Sequence, residues 1–276
     1  MPEPITTPPG PRPDGPDTVV LIHGLWITPL SWQPWVERFE KAGWNVLTPT
    51  WPGMERSIDS LRTDPSSYAK VGVGEVTDHH AAIIQALPKP PIIIGHSFGG
   101  CVTQLLLDRG LGAVGVAISP GPVKGVLRLP ISSLRSSFPV LHNPRNYSRA
   151  VVLTEKQFHS AFATSLSADA SAEIQARLTI PAPGRPLFQA AAATFVRHSP
   201  LKINRKRPGR PPMLIMAGSL DQIAPPALAK AIKKVYRHSP SLTEYQEFAG
   251  RSHIIAAEPG WDEVADTALN WAAKNT

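Results

Sequence analysis

Pro91-Ile92-Ile93-Ile94-Gly95-His96-Ser97-Phe98-Gly99-Gly100-Cys101 is the stretch on which the reading of this chain turns. A short β-branched apolar run meets Gly-His-Ser-Phe-Gly, and a helical pattern over residues 98–109 begins at once. A strand that bends sharply into a helix forces the residue at the bend into a strained conformation, which lifts its side chain above the sheet. Only small residues two before and two after the bend let strand and helix approach. A lone Gly-x-Ser-x-Gly string is weak. Placed between a strand and a helix, with Gly100 widening the small-residue face, it marks Ser97 as the candidate nucleophile.

Outward from this point the same rhythm repeats. Apolar runs at residues 18–23, 44–50, 114–119, 213–217 and 242–248 alternate with helical patterns at 29–42, 73–87, 227–236 and 261–273. The pattern implies an α/β fold, a mostly parallel doubly wound sheet of about six strands covered on both faces. It breaks once, because residues 120–212 contain no strand signal but carry helix-like segments at 155–165, 168–178 and 187–196. We expect a helical cap insertion over about residues 120–205, lying on one edge of the sheet. Its aromatics Phe158, Phe162, Phe188 and Phe195 either line a pocket or fill the cap's own core. Phe158, Phe162 and Phe188 are taken as candidate substrate-binding residues.

A serine hydroxyl is a poor nucleophile at neutral pH and needs a base, which in turn needs an acid to fix its tautomer. In this kind of sheet the chain order is serine, acid, histidine, with the last two in the loops after the final two strands. Residues 213–217 lead to Gly218-Ser219-Leu220-Asp221, and residues 242–248 lead to Ala249-Gly250-Arg251-Ser252-His253. Asp221 and His253 are therefore the expected partners. Pro120-Gly121-Pro122, after the strand that ends at Ser119, offers no carboxylate, and Glu247 lies within a strand whose pleat fixes its direction.

His23-Gly24-Leu25-Trp26 ends the first strand, where a glycine lets the chain turn an amide toward Ser97. The N–H groups of Leu25 and Phe98 are the expected oxyanion hole, with the Trp26 amide as the adjacent alternative. The Trp26 ring is expected to wall the pocket or cover the sheet edge. The other histidines are read as bland: His79-His80 solvated or capping, His96 a packing or pocket-wall residue, and His142, His159, His198 and His238 without partners at ligand spacing. Cys101 is expected to pack inertly.

Composition bounds the rest. In 276 residues, 42% are hydrophobic and 18% charged, enough apolar material for one sizeable core and too little charge for a disordered chain. A single cysteine rules out an internal disulfide and a structural zinc site. No apolar run is long enough to span a bilayer, and the proline-rich stretch 1–17 has no signal-like segment, so we expect a soluble, cytoplasmic protein with a loose N-terminal arm and a fold beginning at Thr18. Part of the net charge of +7 is concentrated in Arg197, Lys202, Arg205, Lys206, Arg207 and Arg210. Pro200, Pro208 and Pro211 interrupt them and no aromatic beyond His198 interleaves, so this stretch reads as a solvated linker, with neither a nucleic-acid nor a membrane partner expected.

Together, His23-Gly24-Leu25-Trp26, Gly95-His96-Ser97-Phe98-Gly99-Gly100, Asp221 and His253 resemble the α/β-hydrolase fold superfamily, in particular its capped esterases and lipase-like members. The likeness spans Thr18 to about Ala273. It implies a serine hydrolase that cleaves a small or medium-sized carboxylic ester or lactone with no metal or organic cofactor. Residues 1–17 cannot supply the two extra strands often found ahead of the oxyanion strand, as in the reduced version shared by plant hydroxynitrile lyases and methylesterases. Those lyases carry a threonine and a lysine where Gly24 and Ile254 stand here, which argues against lyase chemistry. Cofactor-free perhydrolases and haloperoxidases, serine C–C hydrolases and ligand sensors on the same scaffold share the triad and stay open.

Overall fold

Val20, Ile22 and Ile93 face one core while Val19, Leu21, Ile92 and Ile94 face another, so these strands read as unbroken apolar runs rather than alternating ones. A computed structural model describes residues 8–127 and 129–276. Its strands are β1 (Thr18–Ile22), β2 (Asn45–Leu47), β3 (Ile92–His96), β4 (Val114–Ile118), β5 (Ala150–Val151), β6 (Ala182–Pro183), β7 (Met213–Gly218) and β8 (Thr243–Phe248). The helices are α1 (Gln33–Lys41), α2 (Ile58–Thr63), α3 (Val73–Gln85), α4 (Phe98–Asp108), α5 (Ile131–Leu141), α6 (Glu155–Phe162), α7 (Ala168–Leu178), α8 (Arg185–Ala192), α9 (Pro226–Val235) and α10 (Trp261–Lys274).

Six strands form one sheet in the order β2-β1-β3-β4-β7-β8, and every pairing in it is parallel. Helices α1 and α10 cover one face through Trp35, Phe39, Val264 and Leu269, and α3, α4 and α9 cover the other through Val76, Leu106, Leu228 and Ile232. From β1 the chain moves outward to β2 and then crosses back to β3 on the other side. That reversal opens a crevice beyond the carboxyl ends of β1 and β3, where ligands collect in open α/β sheets. Ile22 is in register with Gly95, so the loops starting at His23 and at Ser97 emerge side by side.

The insertion between β4 and β7 contains α5 to α8 and the antiparallel ribbon β5-β6. It is tied down across the strand ends: the Thr28 N–H donates to the Leu178 carbonyl (3.1 Å), and the Ile254 N–H donates to the Phe162 carbonyl (2.9 Å). Helix α6 starts with a reciprocal cap, in which the Gln157 N–H donates to the Thr154 hydroxyl and the Thr154 N–H donates to the Gln157 side chain.

Several boundaries differ from the sequence expectation. The second strand shortens to β2, an exposed edge. The first helical pattern splits into a 3₁₀ turn, Pro29–Trp32, and α1. Helices α2 and α5 were not expected. Of the anticipated loose arm, residues 1–7 lie outside the described residues, whereas residues 8–17 run along the body. There the Trp44 Nε1–H donates to the Pro9 carbonyl (2.7 Å) and the Lys89 ammonium to the Pro13 carbonyl (3.0 Å). Proline lacks the amide donor but keeps its carbonyl, and the ties use that group. Arg210 is not part of a solvated linker either: it is buried, donates to the carbonyls of Pro211, Ser241 and Leu242, and lies over the Tyr236 ring.

Candidate active site

Ser97 has φ +57° and ψ −121°, a conformation L-residues avoid. Its N–H donates to the Ile118 carbonyl (2.9 Å), and its own carbonyl accepts from Cys101 and Gly121 (3.1 and 3.0 Å), so neighbouring elements hold the bend from three sides. The glycines are sterically required. A Cβ on Gly95 would fall on the Gly99 carbonyl, and one on Gly99 would fall on the Ile22 carbonyl. At Gly24 a Cβ would lie 2.7 Å from the Ser97 Cβ, which brings the loop after β1 directly against the serine. Among the described residues, the non-glycine positions with left-handed φ are Trp26, Ser97 and Ser119; the two serines line the cavity at this bend, and Trp26 lies in the loop after β1.

Ser97, His253 and Asp221 meet here from three strand ends. The Ser97 hydroxyl donates to His253 Nε2 (2.9 Å), and the His253 Nδ1–H donates to Asp221 Oδ2 (2.8 Å). The imidazole and the carboxylate are fully buried. Burial alone would raise the Asp221 carboxyl. The adjacent His253 imidazole and its hydrogen bond, the Ala224 N–H and the nearby Ser119 hydroxyl outweigh it and hold the group below the usual carboxylate range. The other Asp221 oxygen accepts the N–H groups of Ile223 and Ala224, both at 2.8 Å. Glu247 is engaged elsewhere, accepting from the Tyr245 hydroxyl and the Lys230 ammonium.

An apolar cavity of about 50 Å³ opens beside the Ser97 hydroxyl. Helices α5 and α8 wall it with Leu134, Leu141, Leu187 and Ala190, and Phe98, Ile223 and Leu228 close it from the body. Its bare walls can hold a short acyl or alcohol group and little water.

Residues 19–267 match the sequence model of the alpha/beta hydrolase family. The chain belongs to that family. Solved structures similar to this alpha/beta hydrolase include a monoacylglycerol lipase of Paleococcus ferrophilus, 21% identical with a TM-score of 0.64 over 97% of both chains. Polyneuridine aldehyde esterase is 17% identical with a TM-score of 0.65, over 93% of this chain and 99% of that one. Tomato methylketone synthase I complexed with 2-tridecanone is 15% identical with a TM-score of 0.68, over 95% and 99%. No protein in the curated set matches the chain in sequence.

The anticipated aromatic wall of this hydrolase is arranged differently from the expectation. Phe162 packs edge-on against the His253 ring (centroids 5.0 Å apart) and stacks on Phe158 (4.9 Å), so both buttress the imidazole from the insertion. Neither lines the cavity at Ser97. Phe188 turns toward Tyr147 (5.8 Å) while its neighbours Leu187 and Ala190 face the cavity. Phe195 is exposed. The Trp26 indole donates to the Val151 carbonyl (2.8 Å), pinning the loop after β1 to the insertion, and its ring meets Phe162 edge-on (5.7 Å). Among the described residues, the amides of Leu25, Trp26 and Phe98 donate to no protein group.

His96 is a positioning residue rather than a simple filler. Its ring lies 4.9 Å from that of His253, and its Nε2–H donates to the His253 carbonyl (2.7 Å). Burial, with the neighbouring His253 in second place, pushes its pKa down to about 3, so it stays neutral and can hold that bond. His80, expected to be solvated or capping, is instead buried in α3 with its Nδ1–H on the Val76 carbonyl (2.8 Å). Cys101 is buried, and burial pushes its thiol up and out of the reactive range.

Sequence reading missed Glu258. Its buried carboxylate accepts the Ser252 N–H (3.1 Å) and the Ser252 hydroxyl (2.7 Å), and also the Ser165 hydroxyl of the insertion. It thereby fixes the residue next to His253. No spacing rule ties a glutamate at that offset to a histidine loop, so only the folded turn reveals it. Among the described residues, no group of three or more His, Cys, Asp or Glu side chains is placed to hold a metal ion.

Proposed function

We propose that this protein is a serine hydrolase that cleaves a small or medium-sized carboxylic ester or lactone through an acyl-enzyme. The observation that carries the reading is the buried line of hydrogen bonds from the Ser97 hydroxyl through His253 to Asp221. As Ser97 Oγ attacks the carbonyl carbon, His253 Nε2 takes the hydroxyl proton, and Asp221 stabilises the imidazolium that forms. The N–H groups of Phe98 and Leu25 face the oxygen that becomes negative. One such donor is worth about 10²–10³ in rate. His253 then returns the proton to the departing alcohol. In the second half it activates water, which releases the acid and restores the serine.

The insertion acts as the cap, with α5 and α8 shaping the acyl site and Phe162 keeping the imidazole dry. Rapid mixing with p-nitrophenyl esters of graded acyl length, alongside lactones and amides, tests this reading. We expect a burst of about one p-nitrophenolate per protein followed by steady turnover, strongest for short acyl groups. A burst with no second turnover would mark a ligand sensor, and no ester or lactone cleavage at all would remove the assignment.

A further inference from the structure

We propose that the face surrounding the cavity mouth binds the surface of an anionic lipid bilayer. Large apolar side chains are scattered singly over most protein surfaces, but here they gather. Leu127 is 81% exposed, Ile131 78%, Phe138 63% and Phe195 89%. The Thr194 hydroxyl donates to the Val126 carbonyl (3.4 Å), which joins the segments that carry Leu127 and Phe195. Ile131, Leu134, Arg135 and Phe138 follow the i, i+3, i+4, i+7 spacing along α5, so they share its exposed face. Leu134 and Leu129 reach from this rim into the cavity at Ser97.

The exposed charge beside these tips is mostly cationic. No Asp or Glu stands between Asp108 and Glu155, nor between Glu173 and Asp221, and these two stretches contribute α5, α8 and the segments that lead into α5 and out of α8, while Glu155, Asp169 and Glu173 belong to α6 and α7. Asp108, at the end of α4, borders the groove of Lys124, Lys202, Arg205 and Lys206 and accepts the Asn204 N–H (2.9 Å). Arg135, Arg197, Lys202, Arg205 and Lys206 are exposed. Among the described residues none of the five pairs with a carboxylate. The Lys124 ammonium donates to the Val196 and Arg197 carbonyls, which holds the cationic strip against the segment that carries Leu127.

Apolar tips with unpaired cations such as Arg135 and Arg197 on the same segments suit a bilayer better than other partners. The tips enter the acyl boundary while the cations meet anionic headgroups. Nucleic acid would use the charge and leave Leu127 and Ile131 in water. A second copy docking face to face would set cation against cation. No described helix is long and apolar enough to cross a membrane, so the association would be peripheral. It presents the cavity mouth to the phase where apolar esters concentrate, and it goes beyond the proposed reaction without depending on it.

Sedimentation with vesicles of phosphatidylcholine, alone or mixed with phosphatidylglycerol, tests this directly. The Ser97→Ala protein is used beside the wild type, so that binding is read apart from catalysis. We expect partition at least about tenfold stronger on the anionic vesicles and weakened by salt. The double variant Ile131→Ser/Phe195→Ser should lose about tenfold or more, and Arg205→Gln/Lys206→Gln about tenfold with a flatter salt dependence. Leu242→Ser, an exposed apolar residue beside β8, should bind like the wild type, and these three surface variants, made with Ser97 intact, should keep their turnover of a soluble short ester. Equal partition onto both vesicles, no partition, or an equal loss in Leu242→Ser would overturn the proposal. So would face-dependent dimerisation without vesicle binding.

Discussion

Ser97→Ala is expected to lower kcat/KM on p-nitrophenyl esters by about 10⁶-fold while leaving the fold intact. The size follows from the covalent route: without the hydroxyl no acyl-enzyme forms, and His253 and Asp221 are left holding a base with nothing to activate. Alanine carries the same Cβ as serine, so the strain at φ +57° is unchanged and the bonds to Ile118, Cys101 and Gly121 are kept. The melting temperature should therefore move by only a few degrees. Kinetics and thermal unfolding on the same preparation separate a lost nucleophile from a lost fold. Full activity in the variant would move the chemistry elsewhere.

Acidification from pH 7 to pH 4.5 is expected to remove about 7 kcal/mol of folding stability, comparable with the whole stability of an ordinary domain. His23, His80 and His96 are buried and neutral, and burial is the main cause that pushes their pKa values down to about 4, 4 and 3. In the unfolded chain each would titrate near 6.5. Below that value the unfolded state binds protons that the folded state refuses. The stability is full above about pH 6.5 and declines as pH falls toward the folded values, by about 2.5 kcal/mol per histidine at pH 4.5. Asp221, held low by its partners, acts in the same direction but only below about pH 4. Denaturant midpoints followed by tryptophan fluorescence across this range should fall steeply. A midpoint unchanged between pH 7 and pH 4.5 would show that these imidazoles take up protons without unfolding.

The sheet and the three site residues were legible because parallel strands end at one edge. An apolar run that stops at Gly218 or Phe248 delivers the next loop to the same rim as Ser97. Gly24, Gly95 and Gly99 were legible for a steric reason, since each marks a backbone approach that a Cβ would block. The cavity walls were hidden. Helix α5 carries Ser132, Ser133, Ser136 and Ser137 with Pro139 inside it, residues of low helix propensity, so Leu134 and Leu141 gave no helical signal. Its outward face is also apolar, against the usual amphipathic order. Phe158, Phe162 and Phe188 could not be sorted into wall or filler, because that depends on how the insertion docks. Glu258 and His80 were hidden because a buried polar residue looks the same in sequence as an exposed one until its partners are known.

Reaction with a fluorophosphonate followed by peptide mapping tests most directly whether Ser97 is the activated nucleophile. One adduct per chain on the Ser97 hydroxyl is expected, formed at a rate that collapses when His253 is replaced by alanine. Efficient ester turnover by a protein that carries no label at Ser97, or labelling that is indifferent to His253, would contradict it.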